Sequence, residues 1–190
     1  MSDRLHIITG GPGSGKTSLI AALAGHGIAH MPEAGRAIIQ AQVRIGGTAL
    51  PWADRAAFAE LMLLWELRSH VEATAMSGPV LMDRGIPDVI GYLTLCDLPV
   101  PDHMHRAARL HRYNRRVFLA PFWPEIFTQD AERKQDLAEA EATCEAMRAT
   151  MLRLDYDIVE LPRAPVAERA RFVLDHLQKP PGSKAFFTPA

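Results

Sequence analysis

The run Gly10-Gly11-Pro12-Gly13-Ser14-Gly15-Lys16-Thr17 combines the kinds of group that a chain of phosphates needs. Its glycines let the backbone turn so that successive N–H groups point inward, and they leave room for phosphate oxygens. Lys16 brings a full positive charge, and Thr17 brings a hydroxyl suited to a divalent cation. The spacing is G-x-x-x-x-G-K-[ST], with the apolar run Leu5-His6-Ile7-Ile8-Thr9 before it and a helical pattern after it. A helix beginning near Lys16 adds the positive end of its dipole at the same place. These residues point to a loop in which Gly11, Pro12, Gly13, Ser14, Gly15, Lys16, Thr17 and Ser18 hold a nucleoside triphosphate, ATP, with Mg²⁺ on Thr17 bridging the terminal phosphates. The motif speaks for binding and is silent on what is done with the triphosphate.

Chemistry beyond binding needs carboxylates and cations near that loop. In an open parallel sheet, ligands sit beyond the carboxyl ends of the strands. Two polar clusters fall at such places: Pro32-Glu33-Ala34-Gly35-Arg36 and Asp83-Arg84-Gly85. Asp83 follows the apolar Val80-Leu81-Met82 and has the position of a carboxylate that holds Mg²⁺ through water. Glu33 can accept the proton of an attacking hydroxyl. Arg84 and Arg36 can steer phosphate or neutralise charge as it develops. Capping, or a structural Asp–Arg pair, is the competing reading at both clusters. ATP-driven machines place a glutamate directly after the Mg²⁺ aspartate to activate water, and here that residue is Arg84. No N-K-x-D segment is present to read guanine, which disfavours a GTPase. A kinase acting on a small acceptor remains, with Lys16, Glu33, Asp83 and Arg84 as its candidate catalytic residues.

A further cation is expected after the fourth strand. Pro121-Phe122-Trp123-Pro124 leads into a charged stretch with Asp130, Glu132, Arg133, Lys134 and Asp136. In compact kinases a segment at this topological place closes over the nucleotide, so Arg133, with Lys134, is a candidate for covering the γ-phosphate; a solvated helix face competes evenly. Trp65 reads as core, whereas Trp52 and Trp123 fall in loops where they could stack on a base or sugar. His103 and His105 are two apart on a helix and make a poor metal pair. The basic run His111 to Arg116 reads as a solvated face.

The elements that must position these residues follow from short apolar runs at Leu5 to Thr9, Ala29 to Pro32, Val80 to Met82, Val117 to Ala120 and Ile158 to Leu161. Helical patterns separate them: Lys16 to Ala24, about Ala53 to Met76, about Glu132 to Leu154, and Val166 to Leu177. Phe58, Leu61, Met62 and Trp65 mark an amphipathic face on the second of these, with Asp54 or Thr48 as its cap and Gly78-Pro79 as its stop. Strands alternating with helices require crossover connections and a parallel sheet. The expected fold is α/β, a three-layer α/β/α P-loop NTPase domain over residues 1–178 with strand order 2-3-1-4-5, followed by a tail, residues 179–190. The 190 residues leave room for one such domain, and 48% hydrophobic residues suffice for its core. A net charge of −1 gives no support to nucleic-acid binding. Two cysteines without CxxC spacing and no membrane-length apolar stretch lead us to expect a soluble, cytoplasmic protein.

Taken together, the phosphate loop, Pro32 to Arg36, Leu50-Pro51-Trp52, Asp83-Arg84-Gly85-Ile86-Pro87-Asp88, Phe118-Leu119 with Pro121, and Asp130-Ala131-Glu132-Arg133 resemble one P-loop family, labelled as an AAA domain but built like a small kinase. It is similar to the ribosylnicotinamide kinase domain and, more distantly, to deoxynucleoside kinases. The resemblance runs from Leu5 to about Leu177. It implies a kinase-like core using ATP and Mg²⁺. It also implies that Glu33 faces the acceptor hydroxyl and that Asp83-Arg84 is the acidic–arginine pair after the third strand. The expected partners are thus a nucleoside triphosphate and a small-molecule acceptor, a nucleoside or ribosylnicotinamide-like compound. A nucleotide-dependent switch with slow ATPase activity and a protein partner is the alternative.

Overall fold

A computed structural model describes residues 3–127 and 136–178. Five short apolar runs form strands β1 (Leu5–Gly10), β2 (Ala29–Met31), β3 (Val80–Asp83), β4 (Arg116–Ala120) and β5 (Asp157–Glu160). All pair in parallel, in the order β2-β3-β1-β4-β5. The helices between them are α1 (Lys16–Gly25), α2 (Ala34–Ile45), α3 (Arg55–Ala75), α4 (Ile86–Leu95), α5 (Asp102–Leu110), α6 (Leu137–Arg153) and α7 (Val166–Gln178).

Because strand side chains alternate between faces, each apolar run feeds two cores. Leu5, Ile7, Val80, Met82 and Val117 pack on one face, against α3, α4, α5 and Met151 of α6. Ile8, Leu81, Phe118 and Ala120 pack on the other, against Leu19 and Leu23 of α1 and Ala170 and Val173 of α7. This is the expected three-layer arrangement with the expected strand order. Among the described residues no helix is long and apolar enough to cross a membrane.

The structure refines or corrects four local expectations. Phe58, Leu61, Met62 and Trp65 do form a stripe on α3, but it packs against α2, an element without a sequence assignment. The face of α3 turned to the main core carries Ala59, Leu63, Glu66, Ser69, His70 and Ala73. Asp54, not Thr48, caps this helix, accepting from the Ala57 N–H at 2.9 Å. The run His111 to Arg116 is not a solvated face. Tyr113 and Asn114 are buried, Arg112 stacks on the Tyr156 ring at 4.1 Å, and Arg116 donates to the His176 carbonyl at 2.8 Å. The helix expected from Glu132 is described from Leu137, where Asp136 caps it by accepting from the Glu139 N–H at 2.8 Å. Asp130, Glu132, Arg133, Lys134 and the tail lie outside the described residues.

The sheet order decides what can meet. β1 is central and β3 is its neighbour, with Ile8 in register with Asp83. The loop after β1 and the polar residues after β3 and β2 therefore share one edge of the sheet.

Candidate active site

The loop between β1 and α1 folds around its own lysine. Lys16 Nζ donates to the Gly11 carbonyl at 2.6 Å, the Ser14 hydroxyl at 3.1 Å and the Gly10 carbonyl at 3.2 Å. Ser14 Oγ donates in turn to the Gly11 carbonyl at 2.8 Å. Gly15 caps α1 with φ 74°, a left-handed conformation that other residues adopt at a steric cost. At Gly11 the constraint is space: a Cβ there would stand 2.3 Å from the Ala140 carbonyl oxygen of α6. Thr17 and Ser18 are exposed at the first turn of α1.

Asp83 ends β3. Burial pushes its carboxyl above the ordinary range, and the charge of Lys16 opposes that rise. Its buried Oδ1 has no hydrogen-bond partner. A hydrated Mg²⁺ takes one or two carboxylates together with phosphates and water, so an orphaned carboxylate oxygen fits such an ion. Among the described residues no group of three His, Cys, Asp or Glu side chains forms a metal cage.

Arg84 links three elements. Its φ of 76° places a non-glycine residue in the left-handed region, a local strain that the surroundings must hold. They do so through its N–H, which donates to the Ile8 carbonyl at 3.0 Å, and through its guanidinium. Nε donates to Glu33 Oε1 at 3.1 Å, and Nη1 donates to Asp88 Oδ1 at 3.3 Å. Burial alone would lower the pKa of this guanidinium, but Glu33, Asp88 and Asp83 outweigh it and hold it above its ordinary value. Asp88 also accepts from the Thr9 hydroxyl and, at 3.1 Å, from the Gly85 N–H. Thr9, Asp88, Arg84 and Glu33 thus form one chain, from the strand that feeds the phosphate loop to the end of β2. Tyr113 sets the start of α4 by accepting from the Ile86 N–H at 3.2 Å. Glu66 of α3, 4% exposed, lies within reach of these charges. Burial, followed by the charges of Asp88 and Asp83, raises its pKa well above the usual range and favours its protonated form.

The AAA domain family matches residues 5–169. The chain belongs to this AAA domain family. No curated protein matches the sequence. Among solved structures, this AAA domain chain is similar to deoxyadenosine kinase from M. mycoides with the products dCMP and a flexible dCDP bound. The TM-score is 0.66 at 10% identity, covering 91% of this chain and 98% of that one. It is also similar to thymidylate kinase from Ehrlichia chaffeensis, with a TM-score of 0.62, 15% identity, and coverage of 94% and 100%. A third structure is the NadR protein in complex with NR, with a TM-score of 0.64 and 16% identity. There the AAA domain covers 91% of its own length but 49% of the NadR chain. At these identities the likeness is one of fold, that of the P-loop kinases.

The AAA domain brings Lys16, Asp83, Arg84 and Glu33 to one edge of the sheet, as the residues suggested. Arg36 is exposed on the first turn of α2, directly after Glu33, and Trp52 is 63% exposed in the loop before α3. His103 Nε2 lies 3.0 Å from Glu60 Oε1. Asp88, Thr9, Glu66 and Arg169 had no assigned role. Asp88 carried a signal, an acid three residues after Gly85 with Pro87 between them, which marks a helix start. Glu66 and Arg169 carried a subtler one: each interrupts a stripe of small and apolar residues at helical spacing.

Proposed function

We propose that this chain is an ATP- and Mg²⁺-dependent kinase that transfers the γ-phosphoryl group to a hydroxyl of a small metabolite, a nucleoside or ribosylnicotinamide-like compound. The observation that carries this reading is the placement of Glu33, held by Arg84 at the end of β2, two strands from β1 and its phosphate loop. In the reaction an acceptor oxygen forms a bond to the γ-phosphorus, the bond from that phosphorus to the β,γ-bridging oxygen breaks, and ADP leaves. Glu33 takes the hydroxyl proton and passes it to solvent. Lys16 exchanges its bonds to loop carbonyls for phosphate oxygens. Mg²⁺, when bound, neutralises phosphate charge, and the Thr17 hydroxyl and Asp83, through water, are the groups that would hold it. Arg133 is the proposed cation over the γ-phosphate. The protein's contribution is then positioning and electrostatics.

The charge of the cluster supports an acceptor without a phosphate of its own. Arg84 is already engaged by Glu33 and Asp88, and Asp83 adds a further carboxyl. An acceptor that is neutral or cationic suits this setting better than a nucleoside monophosphate.

The test is ADP release with Mg·ATP against a panel of nucleosides, ribosylnicotinamide-like compounds and nucleoside monophosphates. Acceptor-dependent ADP release with an unphosphorylated acceptor is the expected result. Slow hydrolysis indifferent to every acceptor would replace the kinase by a nucleotide-dependent switch.

A further inference from the structure

Arg169 lies on the opposite side of the phosphate loop from the acceptor cluster, and the site described so far makes no use of it. It belongs to the first turns of α7 and is 3% exposed. Its Nη2 donates to the Ser14 carbonyl at 3.0 Å. Its Nη1 fills the space beside Gly15, 2.7 Å from where a Cβ would stand. Its Nε is buried without a hydrogen-bond partner. Among the described residues no carboxylate pairs with it. Burial alone lowers its pKa, with no neighbouring charge in opposition.

An arginine keeps its proton, so among the described residues this is a buried cation without a counter-ion. Such a charge is costly to keep out of water unless something anionic comes to it. Among the described residues its hydrogen bond leads to the backbone of the loop whose sequence and shape suit phosphate. The geometry of a trans peptide then gives that bond a consequence. The peptide plane fixes the Gly15 N–H antiparallel to the Ser14 C=O. A guanidinium that holds the Ser14 carbonyl outward therefore turns the Gly15 N–H to the inner side of the loop, where Lys16 Nζ also lies. The glycine at this position leaves α7 room to make the contact.

We propose that Arg169 is a positioning residue for nucleotide: it fixes the Ser14–Gly15 peptide with its N–H toward the phosphates and places behind the loop a positive charge that bound nucleotide compensates. This inference rests on the reading that the loop binds a triphosphate. It also ties α7 to the nucleotide state, since the partner that α7 gives up or gains is the loop itself.

The experiment compares the parent with R169M and R169K, using isothermal titration with Mg²⁺ and a non-hydrolysable ATP analogue, and melting without nucleotide. Removing a buried unpaired cation and losing the bond to the Ser14 carbonyl act in opposite directions on the empty protein, so R169M should melt within a few degrees of the parent. Its analogue affinity should fall roughly tenfold to a hundredfold, the scale of a lost charged hydrogen bond. R169K keeps the charge without the planar fork and should fall between the two, at least about threefold below the parent. The acceptor KM should stay as in the parent. Parent-like affinity in either folded variant overturns the inference. So does an R169M protein that melts much earlier while its folded fraction binds normally, because that is a purely structural role. Should R169M fail to fold, R169K decides by the same criterion. A parent that binds no nucleotide overturns the triphosphate reading, and the inference with it; a binding parent beside an equally binding R169M overturns the inference alone.

Discussion

Glu33 accepts a hydrogen bond from Arg84 Nε at 3.1 Å, across 51 residues of sequence. The pair joins the end of β2 to the end of β3, with both side chains partly open to solvent. The arginine fixes the direction in which the Glu33 carboxylate faces. The same arginine is held by Asp88, and Asp88 by Thr9, so the position of Glu33 is set by the strand that carries the phosphate loop. A hydroxyl bound at Glu33 would thereby be placed relative to the γ-phosphate.

Glu33→Gln should lower acceptor turnover by about 10²–10⁴-fold, the usual contribution of a positioned base. Gln keeps an acceptor oxygen toward Arg84 and nearly the same size, so ATP affinity should change little. The measurement is ADP release with and without the best acceptor, in parent and variant. If Glu33→Gln turns over the acceptor as fast as the parent, Glu33 is a structural partner of Arg84 and the base assignment is wrong.

Lys16→Ala should reduce triphosphate affinity by about a hundredfold or more, since it removes the loop's own full charge from the β- and γ-phosphates. Lys16 bonds to the Gly10 and Gly11 carbonyls and the Ser14 hydroxyl of its own loop, and its removal takes no apolar side chain from the core, so the melting temperature should move by only a few degrees. Titration with Mg·ATP beside a melting curve checks both. Unchanged affinity in a folded variant would remove the basis for a phosphate site here.

Much of this arrangement was legible in the sequence, for physical reasons. The strands were short, apolar and separated by helical patterns, which leaves few alternatives to a parallel sheet. The loop between β1 and α1 was legible because its motif is a run of consecutive residues between a strand and a helix. Asp83, Arg84 and Glu33 were legible because the carboxyl ends of strands in such a sheet converge. What stayed hidden depends on tertiary burial. The α3 periodicity exposed the stripe facing α2, while the main-core face mixes Glu66, Ser69 and His70 with small residues and looks polar. Arg112 and Arg116 read as solvated because charge is usually outside, yet their guanidiniums find a tyrosine ring and a helix-end carbonyl. Arg169 gave no sign of meeting Ser14, which is 155 residues away.

Glu66 gives a pH prediction. Its carboxyl is held well above its ordinary value of 4.5 by burial and then by the charges of Asp88 and Asp83. The folded state therefore binds a proton that the unfolded state releases as pH rises above about 4.5. Stability falls with pH wherever the native state binds more protons. The contribution of Glu66 is thus fully present below the unfolded value and is lost as pH rises toward the folded one. Glu66→Gln removes this dependence. Relative to the parent, the variant's melting temperature should rise steadily as pH goes from 4.5 upward. A difference that stays flat with pH would show that Glu66 ionises normally in the fold.

Asp83→Asn separates a metal role from a structural one. If Asp83 holds Mg²⁺ through water, the change removes one of the few negative groups the ion has from the protein. Mg·ATP affinity should then fall by about tenfold or more, while ATP affinity without Mg²⁺ should stay within about threefold. If Asp83 instead serves as a partner of Arg84, metal dependence should be untouched and stability should drop. The structure sets these apart in advance. Arg84 directs its guanidinium to Glu33 and Asp88, and the buried Oδ1 of Asp83 has no partner to lose. Burial already pushes the Asp83 carboxyl upward, so replacing it with a neutral amide relieves a desolvation cost. The variant without nucleotide should melt at or above the temperature of the parent at neutral pH. Titration of ATP with and without Mg²⁺, together with melting curves, reads all three quantities. An Asp83→Asn protein that melts lower and binds Mg·ATP as tightly as the parent would take the metal away from Asp83 and leave Thr17 as the one protein group proposed for it.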